Sequence, residues 1–168
     1  MISYKPSYRY KSLADVPVEE LALKGKVGAL LDIDNTLLPY GQYDEIPAEN
    51  LKWLQRAEKA GLKVILYSNA TQRKIEHMKK VCGLDGVPKA YKPGWARLKF
   101  ALEMLGGVSK NQVVMIGDQF CTDILGGSLC GVDTILVEPL TDKDWWGTKI
   151  LRVIEWLFVP DRRPWTKK

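Results

Sequence analysis

Three short apolar runs, separated by stretches of helical periodicity, constrain the fold of this chain more than any other feature of its sequence. The runs occupy residues 27–31, 63–67 and 112–116, and each one stops at a polar or glycine residue. Runs that are almost continuously apolar are typical of strands buried on both faces of a sheet. We therefore predict a parallel sheet that helices cover on both sides.

The intervals between these runs carry helical patterns. Apolar residues recur at a spacing of three within residues 47–60 and 71–82, and at spacings of three and four within residues 95–105. A glycine follows each pattern at the position where a left-handed helix cap is expected: Gly61, Gly83 and Gly106. The remaining patterns predict a weak extended segment over residues 87–91, a short helix over 122–130 and a further strand over 134–137.

The alternation of strands and helices along the chain predicts the fold class α/β. We expect a single Rossmann-like, three-layer α/β/α domain with a central parallel sheet and right-handed connections. An N-terminal arm (1–26) precedes the core (27–140), and an amphipathic helix with a basic tail (141–168) follows it. The hydrophobic content of 46% is enough to bury a core without disulfides.

The charge of the chain favours anionic partners. Its 25 basic and 20 acidic residues give a formal net charge of +5, which suits phosphorylated substrates, nucleic acid or anionic lipid. Cys82, Cys121 and Cys130 show neither a CxxC pair nor zinc-ligand spacing, so we predict structural roles in a reducing, cytoplasmic setting. We expect no membrane span and no signal peptide, because the required apolar blocks are missing. Attachment to a membrane surface stays open.

The residues just after the apolar runs are the candidates for a functional site. In an open parallel sheet, ligands bind beyond the carboxyl ends of the strands, where loops from neighbouring strands converge. Seven side chains are predicted there: Asp32, Asp34, Ser68, Asn69, Lys92, Asp118 and Asp123. His77 lies beside Lys79 and Lys80 and is predicted on a solvated helix face.

Two aspartates one residue apart at the end of a buried strand need a compensating charge. A Mg²⁺ ion would provide it for Asp32 and Asp34, because Mg²⁺ binds carboxylates and substrate phosphate, and Asp118 could be a further ligand. Lys92 and the Ser68 hydroxyl could neutralise phosphate oxygens during phosphoryl transfer. One aspartate could then act as nucleophile and form an aspartyl-phosphate, and the other as acid and base.

The same residues resemble, in order, the four motifs of the haloacid dehalogenase-like (HAD) superfamily. Asp32-Ile33-Asp34-Asn35-Thr36 is similar to the first motif, Ser68-Asn69 to the second, Lys92 to the third, and the segment from Gly117-Asp118 to Asp123 to the fourth. The resemblance implies Asp32 as nucleophile and Asp34 as acid/base. It also implies phosphate contacts from Ser68, Asn69 and Lys92. The Mg²⁺ ligands would be Asp32, Asp118 and the Asp34 backbone carbonyl, with more distant support from Asp123. Compared with the shorter GDxxxD form, one extra residue separates Asp118 from Asp123, which leaves the role of Asp123 open.

Each of these residues also has a purely structural interpretation. Asp32 and Asp34 could be a strand-end pair without chemistry. Ser68-Asn69 could cap the helix that begins near Thr71, and Lys92 could be an ordinary surface lysine. Capping and phosphate binding are compatible at a helix N-terminus. The ordered set of four motifs favours the functional interpretation.

The spacing of the motifs leaves little room for a cap domain. Residues 36–63 and 92–112 each hold one predicted helix, so we expect an open site that suits a lipid head group, a protein or a nucleic-acid end. Residues 145–159 are strongly apolar and aromatic, with basic residues within and after them. That pattern is typical of a membrane interface, and a final helix packed on the sheet is the alternative.

A narrower resemblance covers most of the chain. Residues 5–6, 12–16, 31–37, 91–93 and 117–119 are similar to those of the capless YqeG-like phosphatases of subfamily IIIA. That family is related to phosphatidylglycerophosphate phosphatases. The resemblance therefore implies a cytoplasmic enzyme of phospholipid biosynthesis, in peripheral contact with the inner face of the membrane, that produces phosphatidylglycerol. Two alternatives stay open: a phosphatase of a soluble sugar phosphate, nucleotide phosphate or phosphoprotein, and a weakly active protein that binds RNA or an assembly.

Overall fold

The computed structural model describes residues 5–94 and 96–141. These residues form a six-stranded sheet in which every strand pair is parallel. The strands are β1 (Tyr8–Tyr10), β2 (Gly28–Leu31), β3 (Lys63–Tyr67), β4 (Gly86–Val87), β5 (Val113–Gly117) and β6 (Asp133–Val137). Their order across the sheet is β1-β6-β5-β2-β3-β4. The predicted α/β class with a central parallel sheet is confirmed.

Helices cover both faces of this sheet. Their bounds in the described ranges are α1 (Val18–Leu23), α2 (Ala48–Lys59), α3 (Gln72–Cys82), α4 (Leu98–Met104) and α5 (Leu125–Cys130). Successive residues of β2 point to opposite faces. Ala29 and Leu31 join the core beneath α1, α2 and α3, whereas Leu30 joins the core beneath α4 and α5. The fold therefore has the three layers that the alternating pattern predicts.

The central strands lie where the apolar runs predict them. β3 occupies the predicted residues 63–67, and β2, β5 and β6 differ from prediction by at most one residue at either end. Burial explains the agreement, because β2 and β5 are buried along their whole length. Of the weak extended segment predicted over residues 87–91, only Val87 belongs to a strand, the two-residue β4, and residues 88–91 form no strand.

Helices α2 and α3 begin and end within one residue of the predicted bounds. The Thr71 hydroxyl accepts a hydrogen bond from the Lys74 backbone N–H (3.4 Å) and thereby caps α3. Gly61, Gly83 and Gly106 all have positive φ, as their predicted capping positions require.

Two helices differ from the predicted bounds. Helix α4 is shorter than the predicted 95–105, because residues 96–97 form a turn, and Trp95 lies outside the described residues. The helix predicted over 122–130 is a π-helical turn (Phe120–Ile124) that leads into α5. The helix predicted after residue 141 also lies outside the described part of the chain.

The N-terminal arm contains a strand and a helix that no sequence pattern marks. Tyr8 of β1 is in register with Ile135 of β6, so the arm adds an edge strand to the sheet. The three residues of β1 are only half-buried and form no apolar run. The Trp53 indole of α2 donates to the Val16 carbonyl at 3.0 Å and ties the arm to the core.

The position of the central strand β2 determines where the site forms. β2 lies between β3 and β5, with Leu31 in register with both Leu66 and Ile116. The residues that follow these strands therefore meet at one edge of the sheet. The connections after β2 and after Lys92 contain α2 and α4, and the described residues hold no inserted cap domain. Within residues 5–94 and 96–141, no helix is long and apolar enough to cross a bilayer.

Candidate active site

Asp32, Lys92 and Asp123 form an ion triad at the centre of the site. The Lys92 Nζ donates to Asp32 Oδ1 at 2.6 Å and to Asp123 Oδ1 at 2.5 Å. The Lys92 and Asp32 side chains are 4% and 6% exposed, and the Asp123 side chain is fully buried. Charges removed from water to this degree persist only when they are paired and hydrogen-bonded. Lys92 therefore fixes the orientation of the Asp32 carboxylate.

Burial also alters the ionisation of this triad. It raises the pKa of Asp123 to about 6, although the Lys92 ammonium opposes the change, and the Asp32 carboxylate adds to the rise. For Lys92, burial alone would lower the pKa, but the carboxylates of Asp123 and Asp32 outweigh it and raise the pKa. Lys92 is therefore a permanent cation at neutral pH, and Asp123 keeps its proton to a higher pH than an ordinary aspartate.

A third carboxylate completes a cluster of candidate metal ligands. One oxygen from each of Asp32, Asp118 and Asp123 lies within 4.8 Å of the other two, and all three residues are buried. The Thr36 hydroxyl donates to Asp118 Oδ1 at 3.2 Å and so orients this carboxylate. Hard divalent cations bind such oxygens and complete their coordination with water or substrate phosphate. The donor set therefore fits a metal ion.

Gly117, the last residue of β5, allows Asp123 to approach the strand end. A Cβ atom on residue 117 would lie 2.0 Å from Asp123 Oδ2, so glycine is required here. The Gln119 backbone N–H donates to the same oxygen at 3.1 Å. The π-helical turn accommodates the extra residue between Asp118 and Asp123. Asp123, whose role the sequence leaves open, thus contacts Lys92 directly.

Ser68 and Asn69 follow β3 and connect this strand to Lys92. Ser68 is buried, and its hydroxyl accepts from the Ala70 N–H at 3.3 Å. The Asn69 side-chain oxygen accepts from the Lys92 N–H at 2.8 Å, and its amide donates to the Lys92 carbonyl at 3.3 Å. Asn69 therefore holds the Lys92 backbone, and the side chain of Thr71 caps α3. Phosphate contacts from Ser68 and Asn69 stay predictions.

Asp34 does not belong to the three-carboxylate cluster and lies at a partly exposed position. Both of its oxygens accept hydrogen bonds from Lys74 Nζ, at 2.7 and 2.6 Å. Lys74 belongs to the first turn of α3, and its ammonium also lies 3.8 Å from the centroid of the Tyr43 ring. Lys74 lies outside the four motifs. One sequence feature could have drawn attention to Lys74: the first turn of α3 lacks the acidic residues that the first turns of α1 and α2 contain.

A tight turn follows the second aspartate of the first motif. Asn35 has a φ of 59°, a left-handed conformation that asparagine tolerates better than most residues. Its side-chain oxygen accepts from the Tyr40 N–H at 3.2 Å and from the Thr141 hydroxyl at 2.8 Å. From α2, the Asn50 amide donates to the Leu37 carbonyl at 2.7 Å. These contacts fix the backbone that carries both motif carboxylates.

The site as a whole carries excess negative charge. Four carboxylates and two ammonium groups, counted as four negative and two positive charges, give a formal charge of −2: Asp32, Asp34, Asp118, Asp123, Lys74 and Lys92. A divalent cation at the cluster would neutralise this charge. The predicted site residues therefore converge in an arrangement that is compatible with metal binding and with an anionic phosphate group.

Comparisons with known proteins agree with this fold. The HAD-hydrolase-like family model matches residues 89–141. A Bacillus subtilis (strain 168) protein named "Probable phosphatase YqeG" is 30% identical over 152 residues, which cover 90% of this chain and 87% of the relative. Among solved structures, an uncharacterized protein from Listeria monocytogenes serotype 4b has a TM-score of 0.57 at 20% identity and covers 71% of this chain and 84% of its own. A hypothetical protein from Xanthomonas campestris has a TM-score of 0.52 at 24% identity and covers 76% of this chain and 72% of its own.

The similarity to the Bacillus protein extends far beyond the motif residues, over nearly the whole of this chain. The fold, the strand-end carboxylates and this similarity define an enzyme of one class, the phosphatases of the HAD superfamily. Within that superfamily, the chain belongs to the YqeG-like family. The family resemblance that the four motifs indicate is thus confirmed. HAD phosphatases generally use metal ions, and the buried aspartate cluster is compatible with one.

Proposed function

We propose that the protein is a magnesium-dependent phosphomonoester hydrolase that works through an aspartyl-phosphate on Asp32. The observation that carries this proposal is the position of the Asp32 carboxylate. It is buried, it accepts from Lys92 Nζ at 2.6 Å, and it adjoins the other carboxylates of the metal cluster. A fixed carboxylate beside a permanent cation is suited to attack a phosphorus atom whose oxygens that cation neutralises.

The first step transfers the phosphoryl group to the protein. An Asp32 oxygen forms a bond to phosphorus, and the bond between phosphorus and the ester oxygen breaks. The departing oxygen takes a proton from the Asp34 carboxyl group, so an alcohol leaves and Asp34 becomes a carboxylate. Lys92 and the Ser68 hydroxyl stabilise negative charge on the transferring group.

The second step releases phosphate and restores the site. A water oxygen bonds to phosphorus while the Asp34 carboxylate accepts a proton from that water, and the bond between phosphorus and Asp32 breaks. Inorganic phosphate leaves, Asp32 regains its carboxylate, and Asp34 again carries a proton. Asp34 thus serves as acid in one step and as base in the other.

The magnesium site would use groups from the first and the fourth motif. Asp32, Asp118 and the Asp34 backbone carbonyl would hold the ion. Asp123 would support it from the same cluster. When bound, the ion supplies positive charge that stabilises the transferring phosphoryl group. A donor set made only of oxygen favours Mg²⁺ over metals that prefer nitrogen or sulfur.

The proposed substrate is phosphatidylglycerophosphate, which would lose its terminal phosphate to give phosphatidylglycerol. The described residues hold no cap domain, so a head group fixed at a lipid surface could reach the site. Tyr91, directly before Lys92, is 58% exposed and is held at a φ of 53°. Apart from the buried Lys92, residues 86–102 contain three basic residues and no acidic residue: Lys89, Arg97 and Lys99. An exposed aromatic side chain among cations is typical of a membrane interface.

The sequence resemblance to phosphatidylglycerophosphate phosphatases supports the same substrate. Such an enzyme would act in the cytoplasm, in peripheral contact with the inner face of the membrane. The apolar segment 145–159, whose pattern suits that contact, lies outside the described residues.

Phosphate release by the purified protein tests both the chemistry and the substrate. The panel contains phosphatidylglycerophosphate in mixed micelles, soluble sugar and nucleotide phosphates and a phosphopeptide, each with Mg²⁺ or with EDTA. We expect the highest turnover with the lipid, loss of turnover in EDTA and recovery when Mg²⁺ is restored. Better turnover of the soluble esters or of the phosphopeptide would contradict the lipid assignment.

Two variants with the same chemical change separate the nucleophile from an ordinary surface carboxylate. Asp32→Asn should lower turnover by about 10³-fold or more, because it removes the attacking oxygen. Asp85→Asn changes an exposed aspartate that pairs with Lys79, and its turnover should match that of the wild type. Substantial turnover by Asp32→Asn would contradict the proposed mechanism.

A further inference from the structure

The two hydrogen bonds between Lys74 and Asp34 serve neither the metal cluster nor the nucleophile. We propose that Lys74 is a positioning residue, which holds the Asp34 carboxyl group in the orientation needed for proton exchange with the substrate. This inference rests on the proposed function, since it requires attack by Asp32 and an acid/base role for Asp34.

Lys74 provides the side-chain contact that orients Asp34. In the described part of the chain, the Asp34 carboxylate is bonded by the Lys74 ammonium through both of its oxygens, at 2.7 and 2.6 Å. The two side chains are 23% and 18% exposed. Without the ammonium, the Asp34 carboxylate could rotate toward water, because the position is partly open. A general acid that leaves hydrogen-bonding reach of the departing oxygen no longer assists its departure.

The location of Lys74 in α3 is unfavourable for the helix itself. The N-terminus of a helix carries partial positive charge, so a cation in the first turn is unfavourable for the helix. Helix α1 has Glu19 and Glu20 in its first turn and α2 has Glu49, whereas α3 has no acidic residue there. Helix stability therefore does not account for a lysine at this position, and the contact with Asp34 does.

Lys74 is itself held in place from the loop that follows the first motif. Its ammonium lies 3.8 Å from the centroid of the Tyr43 ring, a cation–π contact. One turn further along α3, His77 Nε2 lies 2.9 Å from Asp44 Oδ1. These two contacts lie on the same face of the helix and connect it to neighbouring loop residues. The Lys74 ammonium that binds Asp34 is therefore itself fixed by its contact with Tyr43.

The test compares substrates that differ in their need for a proton. Substituted phenyl phosphates have similar shapes, but p-nitrophenolate leaves without protonation, whereas a less acidic phenol needs a proton as it departs. The ratio kcat/KM covers the steps up to departure of the phenol and therefore isolates the acid step. For Lys74→Met we expect kcat/KM to fall by about tenfold or more with phenyl phosphate, as part of the ~10²–10⁴-fold that a general acid contributes. With p-nitrophenyl phosphate the ratio should change by less than about threefold.

Three further variants control for charge and folding. Lys74→Arg should recover most of the phenyl phosphate activity, because a guanidinium also binds both oxygens of a carboxylate. Lys79→Met removes an exposed ion pair with Asp85 from the same helix and should affect neither substrate. Lys74→Gln keeps a polar side chain of similar length without the charge, and it carries the test if Lys74→Met does not fold.

Asp34→Asn, measured in parallel, separates the acid role of Asp34 from the positioning role of Lys74. We expect it to show the same selectivity as Lys74→Met with a larger loss. An equal loss with both esters in Asp34→Asn would overturn the acid role, and with it this part of the proposed function. Selective loss in Asp34→Asn, combined with equal or no losses in the Lys74 variants, would overturn the positioning role alone.

Discussion

The buried Asp123 carboxylate makes the metal-free fold sensitive to pH. Its pKa is raised from 3.8 to about 6, chiefly by burial. A carboxyl group with a higher pKa in the folded chain binds its proton more tightly there than in the unfolded chain. It therefore stabilises the fold fully below about pH 4, and this contribution is lost as the pH rises through about 6. The difference in pKa corresponds to about 3 kcal/mol.

Asp123→Asn tests this effect, because asparagine has nearly the same shape and carries no charge. In EDTA, the free energy of unfolding of Asp123→Asn relative to the wild type should increase between about pH 4 and 7, by up to about 3 kcal/mol. Urea unfolding at each pH measures the difference. Mg²⁺ should stabilise the wild type more than the variant at neutral pH, since it binds the carboxylate form. A difference in stability that does not change with pH would contradict the assignment.

Helix α5 packs closely against two neighbouring segments through its two consecutive glycines, and one of these segments carries Lys92. A Cβ atom on Gly126 would lie 2.9 Å from the Pro93 Cα, and one on Gly127 would lie 2.5 Å from a Thr134 methyl carbon. The close approach at Gly126 places the helix directly against the segment that carries Lys92. The geometry of the ion triad therefore depends on the packing of an element outside it.

Gly126→Ala should destabilise the protein, although alanine is the better helix former. In an unconstrained helix the exchange would stabilise by about 0.5–1 kcal/mol. Against the Pro93 backbone we expect a loss of about 1–3 kcal/mol and lower turnover, because the segment that carries Lys92 must move. Ser128→Ala, in the same helix, is the matched control and should be nearly neutral. Thermal unfolding measures the stability of both variants, and phosphate release measures their turnover. A more stable, fully active Gly126→Ala variant would contradict the proposed packing.

The elements that sequence patterns predict are those whose burial is continuous. β2, β3 and β5 are apolar along almost their whole length, because both sheet faces are covered. β1 has three half-buried residues at the sheet edge, so no apolar run distinguishes it from a loop. The four motifs are recognisable because they keep their order along the chain, and the first, second and fourth of them come at the ends of β2, β3 and β5.

Contacts between distant segments are the part of the site that the sequence does not predict. Lys74 and Asp34 lie 40 positions apart, and Asn69 and Lys92 lie 23 positions apart. No periodic pattern connects such pairs, since the packing of α3 and of the loop before Lys92 brings them together. Asp123 is a further example. The π-helical turn places its carboxylate in direct contact with Lys92, whereas the fourth motif predicts only distant support of the metal.

At the scale of the whole chain, the net charge is opposite in sign to the formal charge of the candidate site. The chain carries a formal net charge of +5, whereas the site carries a formal −2 from its four aspartates and two lysines. A chain with net positive charge attracts anionic substrates and surfaces, and an acidic cleft is suited to bind a divalent cation. Because the described residues hold no cap domain, the non-reacting part of the substrate would contact residues at the edge of the cleft. This arrangement suits a phosphate group presented by a larger assembly.

The central claim, attack by Asp32, is tested most directly by trapping the aspartyl-phosphate. Wild-type protein is mixed with substrate and Mg²⁺, quenched within one turnover and treated with borohydride, which reduces an aspartyl-phosphate to homoserine. Peptide mass spectrometry then locates the modified residue. We predict homoserine at position 32, formed only with substrate present and absent from Asp32→Asn. Homoserine at another aspartate, or turnover by the wild type without any trapped residue under these conditions, would contradict the mechanism.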